Sequence, residues 1–282
     1  MKRITIATDL SARSDRAMER AVRLARAGKA ELTVVHAVDR DLPAAEADAQ
    51  EAAARQTLQD QVDKLTAGNG VQIATEVVLG SGHADIVAIA EKTKADLIVL
   101  GVHRKDAFRD LFRDTTAERV LRAVQVPVLV VKDQVRDAYG NVMVGVDLSD
   151  PSRRALEFAI RFAPQGTFHL VHAYEVPFKG FLHDRDTQQE VSDRHGTQFE
   201  QMVEEDMAAF LAGLEADAPK LERVMQEGTA RQVIHRQLTK LKPDLLVIGT
   251  HGRTGIAHAF LGSVAEDLLS DPPCDVLAVP PA

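Results

Sequence analysis

Residues 249–266 combine residue types and spacing suited to holding a phosphate. The segment opens Gly249-Thr250-His251-Gly252 and closes Gly262-Ser263-Val264-Ala265-Glu266, a Gly-x2-Gly-x9-Gly-Ser arrangement. Gly249 and Gly252 allow the chain to leave a strand tightly and let backbone approach a ligand with no side chain in the way. Gly262 and Ser263 stand directly before a helical pattern, and Glu266, three residues after Ser263, has capping-box spacing. The predicted helix start, with its N–H groups and positive dipole end, therefore lies beside the first two glycines. That is the chemistry of an anion cradle rather than of bond cleavage. The same glycines also suit plain turns, and Ser263 a plain N-cap.

Other constellations carry less. No nucleophile with a nearby base and no Glu-x-x-His or His-x-x-x-His pair occurs. His169 and His172 share a strand pattern at odd separation and so face opposite sides, and His183 and His195 fall in an insertion, so no metal site is expected. A phosphoacceptor Asp of the response-regulator kind would follow the third strand, where Val78-Leu79-Gly80 stands instead.

The elements that position the glycine loop occur twice. The run Ala95 to Gly101 is matched by Pro243 to Gly249, an offset of 148 residues. At the same offset Gly80 matches Gly228, Ile86 matches Ile234, and Val128 to Val131 matches Val276 to Val279. Ile6 to Ser11 matches Val144 to Ser149 at an offset of 138, the difference being an insertion within the second copy. Each copy alternates strand and helix patterns. The first reads as strands Ile4–Thr8, Leu32–His36, Gln72–Val78, Asp96–Gly101 and Val126–Val131, with helices between them, among them Ala44–Ala67 and Thr116–Ala123. The second repeats the order with strands Val142–Val146, Phe168–His172, Arg223–Gln226, Asp244–Gly249 and Asp275–Val279.

Strict alternation demands parallel sheets covered on both faces. The expected fold is α/β: two tandem, five-stranded, doubly wound, Rossmann-like domains, residues 1–133 and 140–282, joined by a short polar linker. Ligands of such sheets bind beyond the C-terminal strand ends. The apolar fifth strands would be exposed edges in isolated domains, so the halves are expected to pair there about a pseudo-twofold axis, as a built-in dimer able to dimerise again.

Composition sets the outer bounds. With 45% apolar residues in 282, the chain can bury a real core, and one cysteine, Cys274, excludes a disulfide scaffold. Cys274 reads as a small core residue. A net charge of −8 disfavours nucleic acid and anionic membrane. The N-terminus enters a strand at once, and no apolar run approaches the roughly 18 residues of a membrane span. A cytoplasmic, soluble protein is expected.

These motifs resemble the universal stress protein family, whose ATP-binding members carry Gly-x2-Gly-x9-Gly-Ser/Thr after the fourth strand. Gly249, Gly252, Gly262 and Ser263 match it without a gap. The resemblance extends to the Asp closing each first strand (Asp9, Asp147) and the His of each second strand (His36, His172), and covers nearly the whole chain twice, as in the tandem branch of the family. It implies an adenine nucleotide alpha hydrolase-like fold and ATP, carried with Mg2+, as cofactor. By the same resemblance Asp147 contacts the nucleoside, Ala173 lies against adenine, and Gly249, His251, Gly252, Gly262, Ser263 and Val264 hold ribose and phosphates. Asp147 also reads as an Asx-type cap in Asp-Leu-Ser.

The first copy departs from this pattern: Arg104 and Asp114 replace the second and third glycines, while Thr115 and Glu118 keep the capping-box spacing. An Asp beside the helix N-terminus competes with phosphate, so the first copy is expected not to bind ATP in the family's manner. Arg104, Lys105, Arg109 and Arg113 alternate with Asp106, Asp110 and Asp114 and read as a self-paired, solvated helix face. The leading function is a regulatory ATP-binding protein of the stress response acting on an unknown protein partner. The alternatives are a slow ATPase or autophosphorylating enzyme, and a scaffold that has lost nucleotide.

Overall fold

A computed structural model describes residues 1–66, 70–102, 115–134, 137–176, 200–214, 219, 221–250 and 261–281. In chain order the elements are β1 (Arg3–Ala7), α1 (Ala12–Gly28), β2 (Glu31–Asp39), α2 (Ala44–Thr66), β3 (Ile73–Gly80), α3 (His83–Lys92), β4 (Leu97–Gly101), α4 (Thr116–Ala123) and β5 (Val128–Val131). The second copy continues with β6 (Asn141–Gly145), α5 (Asp150–Phe162), β7 (Thr167–Tyr174), α6 (200–211), β8 (Leu221–Glu227), α7 (Ala230–Leu241), β9 (Leu245–Gly249), α8 (Ser263–Ser270) and β10 (Asp275–Val279). The interleaved basic and acidic residues 104–114 lie outside the described residues.

The ten strands form one sheet, ordered β3-β2-β1-β4-β5-β10-β9-β6-β7-β8. Among the described residues pairing is parallel within each copy and antiparallel only where β5 meets β10, with Leu129 opposite Leu277, Val130 opposite Val276 and Val128 opposite Ala278. A pseudo-twofold axis therefore runs through the Leu129–Leu277 pair, and each apolar fifth strand covers the other's open edge.

Strand ends differ from the sequence pattern by up to three residues, the largest difference being at β2, which runs to Asp39. β5 starts at Val128 rather than Val126 because Pro127 has no N–H for the ladder, although its carbonyl still accepts from Ile98 at 3.0 Å. β3 extends to Gly80, paired throughout with β2.

Helices α1 and α5 begin alike: Ser11 and Ser149 cap them by accepting from the N–H of Ser14 and Ser152. The residue before each cap, Leu10 and Leu148, is left-handed, with φ of 60° and 63°. This conformation is costly for leucine. It is held by the Asx bond across it, Ser11 N–H to Asp9 at 3.0 Å and Ser149 N–H to Asp147 at 3.1 Å. The motif Asp-Leu-Ser is thus a rigid corner that fixes an Asp at the end of each first strand.

Two apolar layers flank the sheet, and both run across the junction of the copies. One joins α1, α2, α5 and α6 through Met18, Leu58, Leu156 and Met207. The other joins α3, α4, α7 and α8 through Ile86, Leu121, Val233 and Leu268. Polar groups lock the junction. Asp275 of β10, fully buried, accepts from Tyr139 Oη at 2.6 Å and from the N–H groups of Lys132 and Asp133 at 2.9 and 3.0 Å. Arg20 of α1 lies 3.5 Å from the same carboxylate and 4.1 Å over the Tyr139 ring. Cys274, beside it, is buried as a core residue, its thiol pushed up to about 12 by burial and then by the Asp275 charge.

Candidate functional site

A cavity of about 350 Å3 opens where β6, β7 and β9 end, between the first turns of α5, α7 and α8. Its lining includes Asp147, Ala173, Gly249, Gly262, Ser263 and Val264, six of the eight positions the sequence singles out. The other two, His251 and Gly252, lie outside the described residues. Val171, Ile234 and Ile248 give it an apolar floor; Asp147, Ser152, Thr250 and Ser263 give it polar walls. This is the crevice beyond the carboxyl strand ends that doubly wound sheets use.

Each wall has a local cause. Asp147 is aimed by the Leu148 corner and accepts from Ser149, N–H at 3.1 Å and Oγ at 2.5 Å. His172, buried on β7, contacts the Val146 carbonyl at 2.8 Å through Nδ1 and so pins the β6 to α5 corner; His36 does the same to Thr8 at 2.9 Å. These histidines hold the loops and do not line the cavity. Thr250 donates its N–H to Val279 at 3.1 Å and accepts from Gly262 N–H at 3.0 Å, closing the base of the glycine loop. Between α7 and α8, Asp267 meets His235 and Arg231 at 2.8 and 3.2 Å.

The start of α8 departs from the sequence expectation. Ser263 and Glu266 do not form a capping box: the N-cap is Gly262, no side chain among the described residues accepts from the first turn, and Glu266 N–H bonds the Gly262 carbonyl at 3.0 Å. The Glu266 carboxylate instead meets Arg122 of α4, in the other copy, at 3.1 Å. The first turn of α8 thus presents N–H groups to the cavity without an internal acceptor among the described residues, the condition for anion binding.

The first copy closes the equivalent features on itself. Thr115 and Glu118 do form the box, Thr115 N–H to Glu118 at 2.7 Å and Glu118 N–H to Thr115 Oγ1 at 3.2 Å. At α3, Asp85 accepts from the N–H groups of Ser81 and Gly82 at 2.7 and 3.0 Å, where the second copy has Val233. Asp9 accepts from both Ser11 and Ser14; burial works against its charge, but these bonds outweigh it and hold the carboxyl below its usual range. Asp114 lies outside the described residues.

Sequence reasoning did not single out Gly145, Ser152, Ala230, Ile234 or Thr250 in the lining. For the first, β6 ends in Gly145 where β1 ends in Ala7, and a Cβ at Gly145 would stand 3.5 Å from Ile234. A larger groove, of about 860 Å3, lies between α1, the linker and the end of α5. It adjoins the N-terminal ends of the β6 and β7 strands, away from the crevice, and the loop chemistry is absent from it.

An α/β sheet wound twice, with an open phosphate-type corner in one winding, defines the class. Consistently, the universal stress protein family model matches residues 1–132 and again 138–280. The chain belongs to the universal stress protein family, with two copies of its domain in tandem. It is 24% identical over 81% of its length to a universal stress protein E homolog of Haemophilus influenzae, covering 76% of that protein. It is 27% identical over 66% of its length to universal stress protein E of Photorhabdus laumondii, spanning 62%, less than two thirds, of that relative. The fold matches a crystal structure of a universal stress protein from Archaeoglobus fulgidus with a TM-score of 0.71 at 20% identity, covering 99% of this chain and 98% of that one. Among the described residues no helix is long and apolar enough to cross a membrane.

Proposed function

We propose that the second copy binds an adenine nucleotide, ATP with Mg2+, and that occupancy regulates the protein in the stress response. The observation that carries this is the asymmetry of the two α/β copies: Asp147, Ala173, Gly249, Gly262, Ser263 and Val264 converge on one cavity beside a helix start without a side-chain cap, while in the first copy Thr115, the counterpart of Ser263, closes the start of α4 with Glu118. About 350 Å3 falls at the low end of the roughly 300 to 1,000 Å3 of small-ligand pockets. It suits a nucleoside on the apolar floor, with Asp147 accepting from a ribose hydroxyl and the phosphates at the start of α8. His251 and Gly252 complete the phosphate loop in this reading.

The role we assign is that of a sensor whose conformation or protein partner changes with nucleotide, in the cytoplasm. No paired nucleophile and base stands among the described lining residues. Mass spectrometry of material heat-released from purified protein should show adenine nucleotide, and calorimetry should show Mg·ATP binding lost in Gly252→Val. Failure of both would refute the reading. Turnover above background would replace the sensor by an ATPase.

A further inference from the structure

The groove of about 860 Å3 beside the linker lies where α5 stops short of its counterpart. At the offset of 138 residues α1 matches residues 150–166, yet α5 has 13 residues where α1 has 17 and ends at Phe162. Pro164 stands where α1 has Arg26; it cannot continue a helix, and the residue before it, Ala163, leaves the helical region with φ of −126° and ψ of 63°. Ala163, Pro164 and Gln165, the turn that α5 lacks, line the groove together with the second half of α1. Arginines recur along α1 beside it. Arg16 donates to the Lys132 carbonyl at 2.8 Å, and Arg20 donates to the Asp137 carbonyl at 2.7 Å while its Nε faces Asp275. Those two are spent on the junction of the copies. Arg23 and Arg26, both exposed and both in the groove lining, make no ion pair or side-chain hydrogen bond among the described residues. Asp137 is the one acidic residue among the described lining residues, so the groove is positive in a chain whose net charge is −8. The other walls are mainly apolar, with Val22, Leu24, Ala138, Tyr139 and Phe162 among them.

We infer that this groove binds an amphipathic carboxylate, a molecule with an apolar body and one carboxyl end. Arg23 and Arg26, three residues apart, are neighbours on the helix surface and offer two guanidinium forks of the geometry that carboxylates match. The body lies along Leu24, Ala138 and Phe162. A bare inorganic anion would leave these apolar walls in water, and an uncharged hydrocarbon would leave both guanidiniums without a partner. The volume falls within the roughly 300 to 1,000 Å3 of small-ligand pockets, and a junction between domains is a common place for one. The occupant touches α1 of the first copy and the end of α5 in the second, so it holds the copies together and stabilises the folded chain. This second site is independent of the nucleotide reading, because the groove adjoins the opposite ends of β6 and β7.

The test is titration of the whole protein with decanoate, below its micelle concentration, by calorimetry and by amide NMR, with acetate and decan-1-ol as the head-only and tail-only controls. Decanoate should bind saturably and raise the melting temperature, with each control at least about tenfold weaker. The shifted amides should centre on Arg23, Ala27, Ala138 and Gln165. The double variant Arg23→Ser/Arg26→Ser should lose about tenfold in affinity, roughly threefold for each exposed ion pair. Ala27→Trp fills the groove from an exposed position one turn beyond Arg23 and should abolish binding. All three substituted positions are exposed, so both variants should melt as the unliganded wild type does. Absence of decanoate binding, decan-1-ol binding as tightly as decanoate, unchanged affinity in either variant, or shifts centred on Gly249 and Ser263 instead overturns the inference.

Discussion

Replacing Asp275 by alanine should destabilise the whole chain, not one copy. Its carboxylate has no exposed surface and accepts three hydrogen bonds, from Tyr139 Oη and the N–H groups of Lys132 and Asp133, beside Arg20, whose side chain is 7% exposed. Alanine leaves a buried guanidinium without its counter-charge and three donors without an acceptor. Breaking a buried pair from one side costs about 3 kcal/mol or more. At about 2 °C per kcal/mol for a chain of this size, the melting temperature should fall by about 6 °C. Asp275→Asn removes the same counter-charge but keeps an acceptor for Lys132 and Asp133, so it should lose less than alanine does. The pH dependence separates the variants further. Burial raises the Asp275 carboxyl above its ordinary range, and the bonds from Tyr139, Asp133 and Lys132 and the Arg20 charge offset only part of that. The folded state thus holds this proton more tightly than the unfolded state. The contribution is complete below the unfolded value, about 4, and fades as pH rises through the folded one. Wild type should therefore gain on Asp275→Asn as pH falls toward about 4. Urea and thermal melts of the three proteins decide it; an alanine variant that melts with wild type would refute the picture of Asp275 as the lock between the copies.

Two further outcomes follow from other titrating groups. Cys274, 4% exposed with its thiol pushed up to about 12, should resist iodoacetamide at mildly alkaline pH in the folded protein and react fully once unfolded, as mass spectrometry would show. Asp9 and Asp96 have the opposite sign from Asp275: burial raises each, but hydrogen bonds from Ser11 and Ser14, and from Lys2 and Arg3, lower them more. Their stabilisation is present above the unfolded value near 3.8 and is lost as pH falls through the folded values, so Asp96→Asn should flatten the acid limb of a pH melt.

The duplication and the winding of each copy were legible because both rest on local apolar runs. α4 and β10 fall on the residues the pattern marks, and the order 3-2-1-4-5 repeats in each half. Six of the eight marked site positions meet in one cavity because strand ends and helix starts are local features too. The capping of α8 was not legible. Ser263 with Glu266 and Thr115 with Glu118 have the same spacing, but α8 starts one residue earlier, on Gly262, and Glu266 pairs with Arg122, 144 residues away in the chain. Asp275 shows the same limit: its place in β10 is evident from the pattern, but its partners Arg20 and Tyr139 come from α1 and the linker.

These cross-copy contacts explain how a domain without the glycine loop stays bound to one that has it. A single domain would leave its fifth strand as an open edge; here β5 supplies that edge to β10 at Leu129 and Leu277. A symmetric partner would have to use one sequence at both helix starts. Fusion in one chain lifts that constraint: Thr115 and Glu118 close the start of α4 with a capping box, while α8 starts on Gly262 without one and its Glu266 pairs with Arg122 of the first copy.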